Sequence, residues 1–231
     1  DAYRRALELR PDYARAHVNL GIALSRRART AEAIAHYRRA IEIAPDFPDA
    51  HSNLAAALLA KAGGATEAAA HARRAIALDP HHADGWSNLC AALQASGNLL
   101  EAEAAGRRAV ELQPGLAVAH NNLGSALQEQ GRLDDAITHY RQAVALNPAY
   151  HAAHSNLLFT LDFLPGQDTG QVFAEHLAWA RQHAAPWEAR QSPHANTREP
   201  DRPLRIGYVS PDLRSHAGAW FMEPLLAHHA K

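Results

Sequence analysis

The chain has 231 residues, enough for one large or two small domains, and a hydrophobic fraction of 47% allows a packed core without disulfides. Alanine carries much of that fraction and favours helix, whereas an aromatic content of 6% argues against an all-β sandwich. A formal charge of -1 sets up no global field that would draw in nucleic acid or an anionic membrane. The single cysteine, Cys90, excludes an intrachain disulfide and fits a reducing compartment, so a cytoplasmic location is expected. No stretch approaches the ~20 apolar residues needed to cross a bilayer. The opening Asp1-Ala2-Tyr3-Arg4-Arg5 and the closing Ala227 to Lys231 both read as helices in progress, and the expectation is that both ends are cut from a longer protein.

In chain order, the dominant feature is a repeat. Prolines stand at Pro11, Pro45, Pro80, Pro114 and Pro148, at steps of 34, 35, 34 and 34 residues. Leu20, Leu54, Leu89, Leu123 and Leu157 keep the same beat. So do Ala33, Ala68, Ala102 and Ala136, then Ala40, Ala75, Ala109 and Ala143. The one long step is expected to place its extra residue at Gly63-Gly64, where a turn absorbs it. Within a period, apolar residues recur at three- and four-residue steps in two runs, which predicts a pair of amphipathic helices. Turn residues such as Ser96-Gly97-Asn98 divide the pair, and proline stops the second helix because it lacks the N–H that a helix interior needs. Gly21, Ala55, Cys90 and Gly124 follow the repeat leucine, where a small side chain lets the paired helix come close.

These positions together resemble the tetratricopeptide repeat. Four full units are expected from Ala14 to about Ala149, with residues 1–13 giving the last helix of an earlier unit and His151 to Phe163 starting a fifth. The fold class expected is mainly α, a right-handed superhelical solenoid over residues 1–163.

One polar residue shares the period: Asn19, Asn53, Asn88, Asn122 and Asn156 each precede the repeat leucine. Burying an unpaired carboxamide costs about 1–3 kcal/mol, so these side chains do not belong to a core. First helices of stacked repeats line a concave face, and there the row would offer donors and acceptors to the backbone of an extended peptide. The alternative is that the asparagines cap or bridge neighbouring helices. An asparagine row of this kind resembles the repeats of the O-linked N-acetylglucosamine transferases.

The texture changes after Phe163. Residues 164–202 are expected to be a linker carrying one amphipathic helix, from Gln171 to Ala185, ahead of the proline-containing stretch up to Pro203. Leu204-Arg205-Ile206-Gly207-Tyr208-Val209 predicts a buried strand, Pro211 to Ser215 a loop, and His216 to about His229 a helix. That order opens a βαβ unit, whose ligands sit at the carboxyl ends of strands. The run Leu204 to His216 closely resembles the start of the catalytic region in the same transferases and their bacterial and plant, SPINDLY-like relatives. The resemblance implies that residues 203–231 begin an α/β glycosyltransferase domain of the GT-B type. It also implies that His216 lies in the active site, where an imidazole titrating near 6.5 could take a proton from an acceptor hydroxyl. Members commonly follow this histidine with proline; here Ala217 and Gly218 follow.

Other candidates for chemistry are weaker. Sixteen histidines invite a metal, but many follow the repeat, as at His17, His51, His120 and His154, and helix packing accounts for them better. Gly207 stands without a phosphate-binding glycine motif. The arginine pairs at residues 38–39, 73–74 and 107–108 read as a solvated outer face balanced by acidic residues. The resemblance therefore implies the N-terminal part of a protein glycosyltransferase moving N-acetylglucosamine from UDP-N-acetylglucosamine to serine or threonine. The repeats would hold acceptor proteins or extended peptides, with no cofactor, no metal, no nucleic acid and no membrane. The donor sugar would be bound mostly beyond this chain, and the fragment alone would be inactive. Two alternatives stand beside this: a non-catalytic interaction scaffold, and an O-fucosyl-transferring relative.

Overall fold

A computed structural model of the protein describes residues 2–185, and the expected strand, loop and helix of residues 203–231, with His216, lie outside the described residues. Helix α1 (Ala2–Leu9) is the second helix of an incomplete unit. Four helical pairs follow: α2 (Ala14–Ser25) with α3 (Thr30–Ile43), α4 (Pro48–Leu59) with α5 (Ala65–Leu78), α6 (Ala83–Ala95) with α7 (Leu99–Leu112), and α8 (Ala117–Glu129) with α9 (Leu133–Leu146). Helix α10 (His151–Phe163) opens a fifth unit, and α11 (Thr169–Trp179) packs against it. Each pair packs on the next, and the first helices also touch one another along the array, α2 on α4, α4 on α6, α6 on α8 and α8 on α10. Among the described residues no strand occurs, and no helix is long and apolar enough to cross a membrane.

The alanine series set the spacing of the helices. All eight repeat alanines, from Ala33 to Ala143, have no exposed surface, and the five repeat leucines are buried beside them. The small residue after the leucine answers one residue on the second helix of its own pair. A Cβ added at Gly21 would lie 2.5 Å from the Tyr37 ring, and one at Gly124 would lie 2.9 Å from the Tyr140 ring. In the two middle units the ring is gone: Ala55 sits opposite Ala72, and Cys90 opposite Gly106, whose added Cβ would be 3.0 Å from the Cys90 sulfur. Volume is thus traded across the helix pair while the backbones stay equally close. Burial pushes the Cys90 thiol up to about 12, leaving it no thiolate character.

The turn inside each pair uses one left-handed residue: Ala28, Gly63, Gly97 and Gly131, with φ of 57, 75, 77 and 77°. The long period keeps its extra residue in the turn between α4 and α5, where Gly63 stands, as expected from sequence. The helix expected over residues 171–185 starts earlier and changes pitch. Asp168 caps α11 by accepting from the N–H of Gly170 at 2.7 Å and of Gln171 at 3.3 Å, and the chain then makes a π-helical turn over Ala180–Ala184.

Candidate functional site

The five asparagines occupy equivalent positions on α2, α4, α6, α8 and α10, and all are half-buried. Four of them, all but Asn19, donate to the protein itself. Asn88 Nδ2 donates to the Ser52 carbonyl at 2.9 Å and contacts Ser52 Oγ at 3.0 Å. Asn122 Nδ2 repeats the pattern on Ser87, at 3.1 Å to the carbonyl and 3.0 Å to Oγ. Asn156 Nδ2 donates to Asn121 Oδ1 at 3.0 Å. In these three cases the acceptor is the residue just before the preceding asparagine, so the row stitches α6 to α4, α8 to α6 and α10 to α8.

Asn53 breaks the pattern. The equivalent residue one unit back is Val18, which has no hydroxyl, and Asn53 Nδ2 turns instead to the Asp49 carbonyl of its own helix at 2.7 Å. Asn19 has no hydrogen-bond partner among the described residues, and neither do the Oδ1 atoms of Asn53, Asn88 and Asn156. No buried side-chain oxygen or nitrogen among the described residues lacks a partner. The three free Oδ1 atoms therefore meet solvent. Asn122 Oδ1 has only a long contact from Asn121 Nδ2 at 3.4 Å.

The repeat-phased histidines form a second, separate device. His17, His51 and His120 each donate Nε2–H to the carbonyl of the repeat proline six residues earlier, Pro11, Pro45 and Pro114, at 3.0, 2.9 and 3.1 Å. A carbonyl can only accept, so the proton sits on Nε2 and leaves Nδ1 to accept in the neutral ring. That Nδ1 meets Nδ1 of His36, His71 and His139 on the paired helix at 2.9, 3.0 and 3.1 Å. Burial, and then the facing histidine, hold His36, His71 and His139 below the ordinary value of 6.5. His154 is lowered by burial and by His183, whose Nε2 lies 3.3 Å from its Nδ1.

The third unit replaces the couple: Trp86 Nε1 donates to the Pro80 carbonyl at 3.0 Å, and Ala105 stands where the second histidine would be. In the fifth, Gln182 donates to the Pro148 carbonyl. The carbonyls of Pro11, Pro45, Pro80 and Pro114 thus each anchor the helix that follows, and that of Pro148 holds the π-helical turn after α11. No group of three or more possible metal ligands occurs among the described residues.

The serine before the asparagine and the second histidine of each couple are bonding partners that sequence reasoning missed. A signal existed for both. Ser52-Asn53 and Ser87-Asn88 are adjacent in the chain, and the histidines pair at separations of 19, 20 and 19 residues.

An array of helix pairs with this packing and these repeat positions defines a helical-repeat protein. Three family profiles for the tetratricopeptide repeat match residues 2–35, 29–62 and 81–149, and over this span the chain is a tetratricopeptide-repeat protein. Its repeats are similar to those of glycosyltransferases. A probable UDP-N-acetylglucosamine–peptide N-acetylglucosaminyltransferase SPINDLY of Solanum lycopersicum is 33% identical over 72 residues, covering 31% of this chain and 8% of that protein. The structure of a mutant O-GlcNAc transferase of Thermobaculum terrenum is 32% identical with a TM-score of 0.61, covering 78% of this chain and 35% of that one. YrrB, described as a tetratricopeptide-repeat protein with an unusual peptide-binding site, aligns with a TM-score of 0.53 at 20% identity, over 82% of this chain and 98% of its own. The chain thus spans 8% of the plant relative and about a third of the bacterial one.

Proposed function

We propose that this chain is the acceptor-recruiting part of a protein O-glycosyltransferase. An extended segment of the acceptor polypeptide lies along the first helices, on the concave side of the array, against the asparagine row. The observation that carries the reading is the row itself: five carboxamides in one register on successive first helices, with Oδ1 of Asn53, Asn88 and Asn156 facing solvent. Hydrogen bonds to a peptide backbone do not depend on side-chain identity, which suits a protein with many acceptors.

Support for the transferase comes from the similarity of the repeats to the SPINDLY and bacterial proteins. The run from Leu204 to His216 adds to it. In this reading residues 1–163 are the solenoid, 164–202 the linker and 203–231 the start of the catalytic domain, with His216 beside the acceptor hydroxyl. The donor is UDP-N-acetylglucosamine. A scaffold that recruits partners without chemistry competes with it, because the plant relative aligns over only 72 residues.

The test is incubation of the protein that contains this chain with labelled nucleotide sugars and a cell lysate. Label on serine or threonine of lysate proteins supports the transferase, its sugar fixing the donor, and its loss in His216→Ala assigns the histidine. No transfer from any nucleotide sugar leaves the scaffold. Residues 1–231 alone are expected to transfer nothing.

A further inference from the structure

We propose that the fifth unit binds a divalent cation of the zinc class through His151 and His154 of α10 and His183 of the π-helical turn after α11. Histidine couples recur along the array, and the comparison among them carries the inference. In the first, second and fourth units both nitrogens of the first-helix ring are engaged. Nε2–H donates to the proline carbonyl, and Nδ1 accepts from the ring on the paired helix. The ring centres there lie 5.2, 5.3 and 5.3 Å apart with planes inclined by 36, 30 and 35°. That distance is the nitrogen separation plus nearly two ring radii, so the nitrogens face each other across one proton. These three couples are closed to a cation. The fifth unit is built differently. Gln182 takes the Pro148 carbonyl, so His154 is not pinned there. Its Nδ1 meets Nε2 of His183 at 3.3 Å, longer than in the other couples and long for a hydrogen bond. The two rings stand nearly perpendicular, at 77°, and a third imidazole, His151, lies edge-on to His183 with 6.5 Å between ring centres.

Two imidazole nitrogens on one tetrahedral zinc ion, each bonded at about 2.0–2.1 Å, stand roughly 3.3–3.4 Å from each other. His154 Nδ1 and His183 Nε2 already have that separation. Both are held in place: His154 is buried, and the Trp179 ring packs on His183 with 5.6 Å between centres. Three donors do not converge as the rings stand. His151 supplies the third by turning its side chain, which is exposed at the first position of α10 and three residues before His154 on the same side of the helix. Water fills the remaining place, as in other sites with three protein ligands. Imidazole donors select zinc, copper or nickel over magnesium and calcium, which take oxygen. The Glu175 carboxylate acts on His154 in the direction that favours positive charge there. Once bound, the cation ties the π-helical turn to α10 and fixes the end of the array.

The experiment is a calorimetric titration of Zn2+ into the metal-stripped 231-residue chain near neutral pH. It runs beside the variants His183→Gln, His151→Ala and His71→Ala, each checked for helicity by circular dichroism. The expected result is one tight equivalent of Zn2+ in the parent chain. Both His183→Gln and His151→Ala should weaken it at least roughly tenfold, the loss that removing even an outer partner of a metal site brings. His71→Ala should bind as the parent does, because its couple is closed. A parent chain with no saturable Zn2+ site overturns the proposal. So does unchanged affinity in either of the first two variants, which would place the cation elsewhere. An equal loss in His71→Ala overturns it as well, since the histidine couples at large would then be the ligands. Should His183→Gln lose helicity, the exposed His151→Ala decides alone.

Discussion

At Ala28 the backbone takes φ 57°, in the left-handed region that its counterparts Gly63, Gly97 and Gly131 enter without a Cβ. An L side chain there costs about 1–2 kcal/mol. Ala28→Gly is expected to raise the urea midpoint by an amount worth up to about 1 kcal/mol, since glycine's greater freedom in the unfolded chain offsets part of the gain. The opposite substitution pattern applies at Gly124. An added Cβ would press into the Tyr140 ring, which is fully buried and donates its hydroxyl to Gln128 at 2.7 Å. Gly124→Ala should cost about 1–3 kcal/mol by overpacking. The ring is the cause, so Gly124→Ala should cost clearly less when made together with Tyr140→Ala than when made alone, and this comparison in chemical denaturation checks the size-matching account.

Between helices, the histidine couples give the array a pH dependence whose sign follows from burial. His36, His71, His139 and His154 titrate below 6.5 in the folded protein, mainly because burial disfavours the charged ring. The unfolded chain takes up their protons first. The stability they support is therefore complete above pH 6.5 and is lost as pH falls through the depressed folded values. Nearby charges act in both directions: Glu32, Glu67, Asp135 and Glu175 favour the charged ring, while Arg4, Arg38 and Arg107 oppose it. Melting temperature should fall between pH 7.5 and 5, before most carboxylates titrate. The third unit supplies the control, because Trp86 and Ala105 keep the proline bond without a titrating pair. Carrying that pair into the second unit, as His51→Trp with His71→Ala, should flatten the melting curve against pH; an unchanged slope would remove the couples as its cause.

The elements were legible because their cause is local. Period, helix pairing and the fully buried alanines follow from apolar spacing along the chain, and the small residue after each leucine announced close packing. What faces that small residue was not legible. Tyr37, Ala72, Gly106 and Tyr140 compensate across a helix pair, and such compensation has no signature within one helix. The asparagine register is equally plain in the sequence, and so is bridging of neighbouring helices as an alternative to ligand binding, but the residues that take the donor side are not. Ser52 and Ser87 claim it, about 35 residues away in sequence, through a contact that only stacking creates.

For the whole array, coupling between units comes from alanine packing, from the asparagine bridges and from ion pairs between second helices or the turns that lead into them. Arg38 with Glu67, Arg73 with Glu101 and Arg132 with Glu103 are such pairs. The first two are exposed on both sides, so each adds little, and the bridges reach further into the packed surface. Removing one bridge by Asn88→Ala should lower stability by about 0.5–1.5 kcal/mol without changing helical content. The central claim, that the row also holds an extended polypeptide, is tested most directly by the affinity of the Asn53→Ala, Asn88→Ala, Asn122→Ala triple variant for an extended serine- and threonine-rich peptide, measured with its far-ultraviolet circular dichroism. The account predicts binding weaker by roughly tenfold or more with helicity retained; unchanged affinity in a folded variant would contradict it.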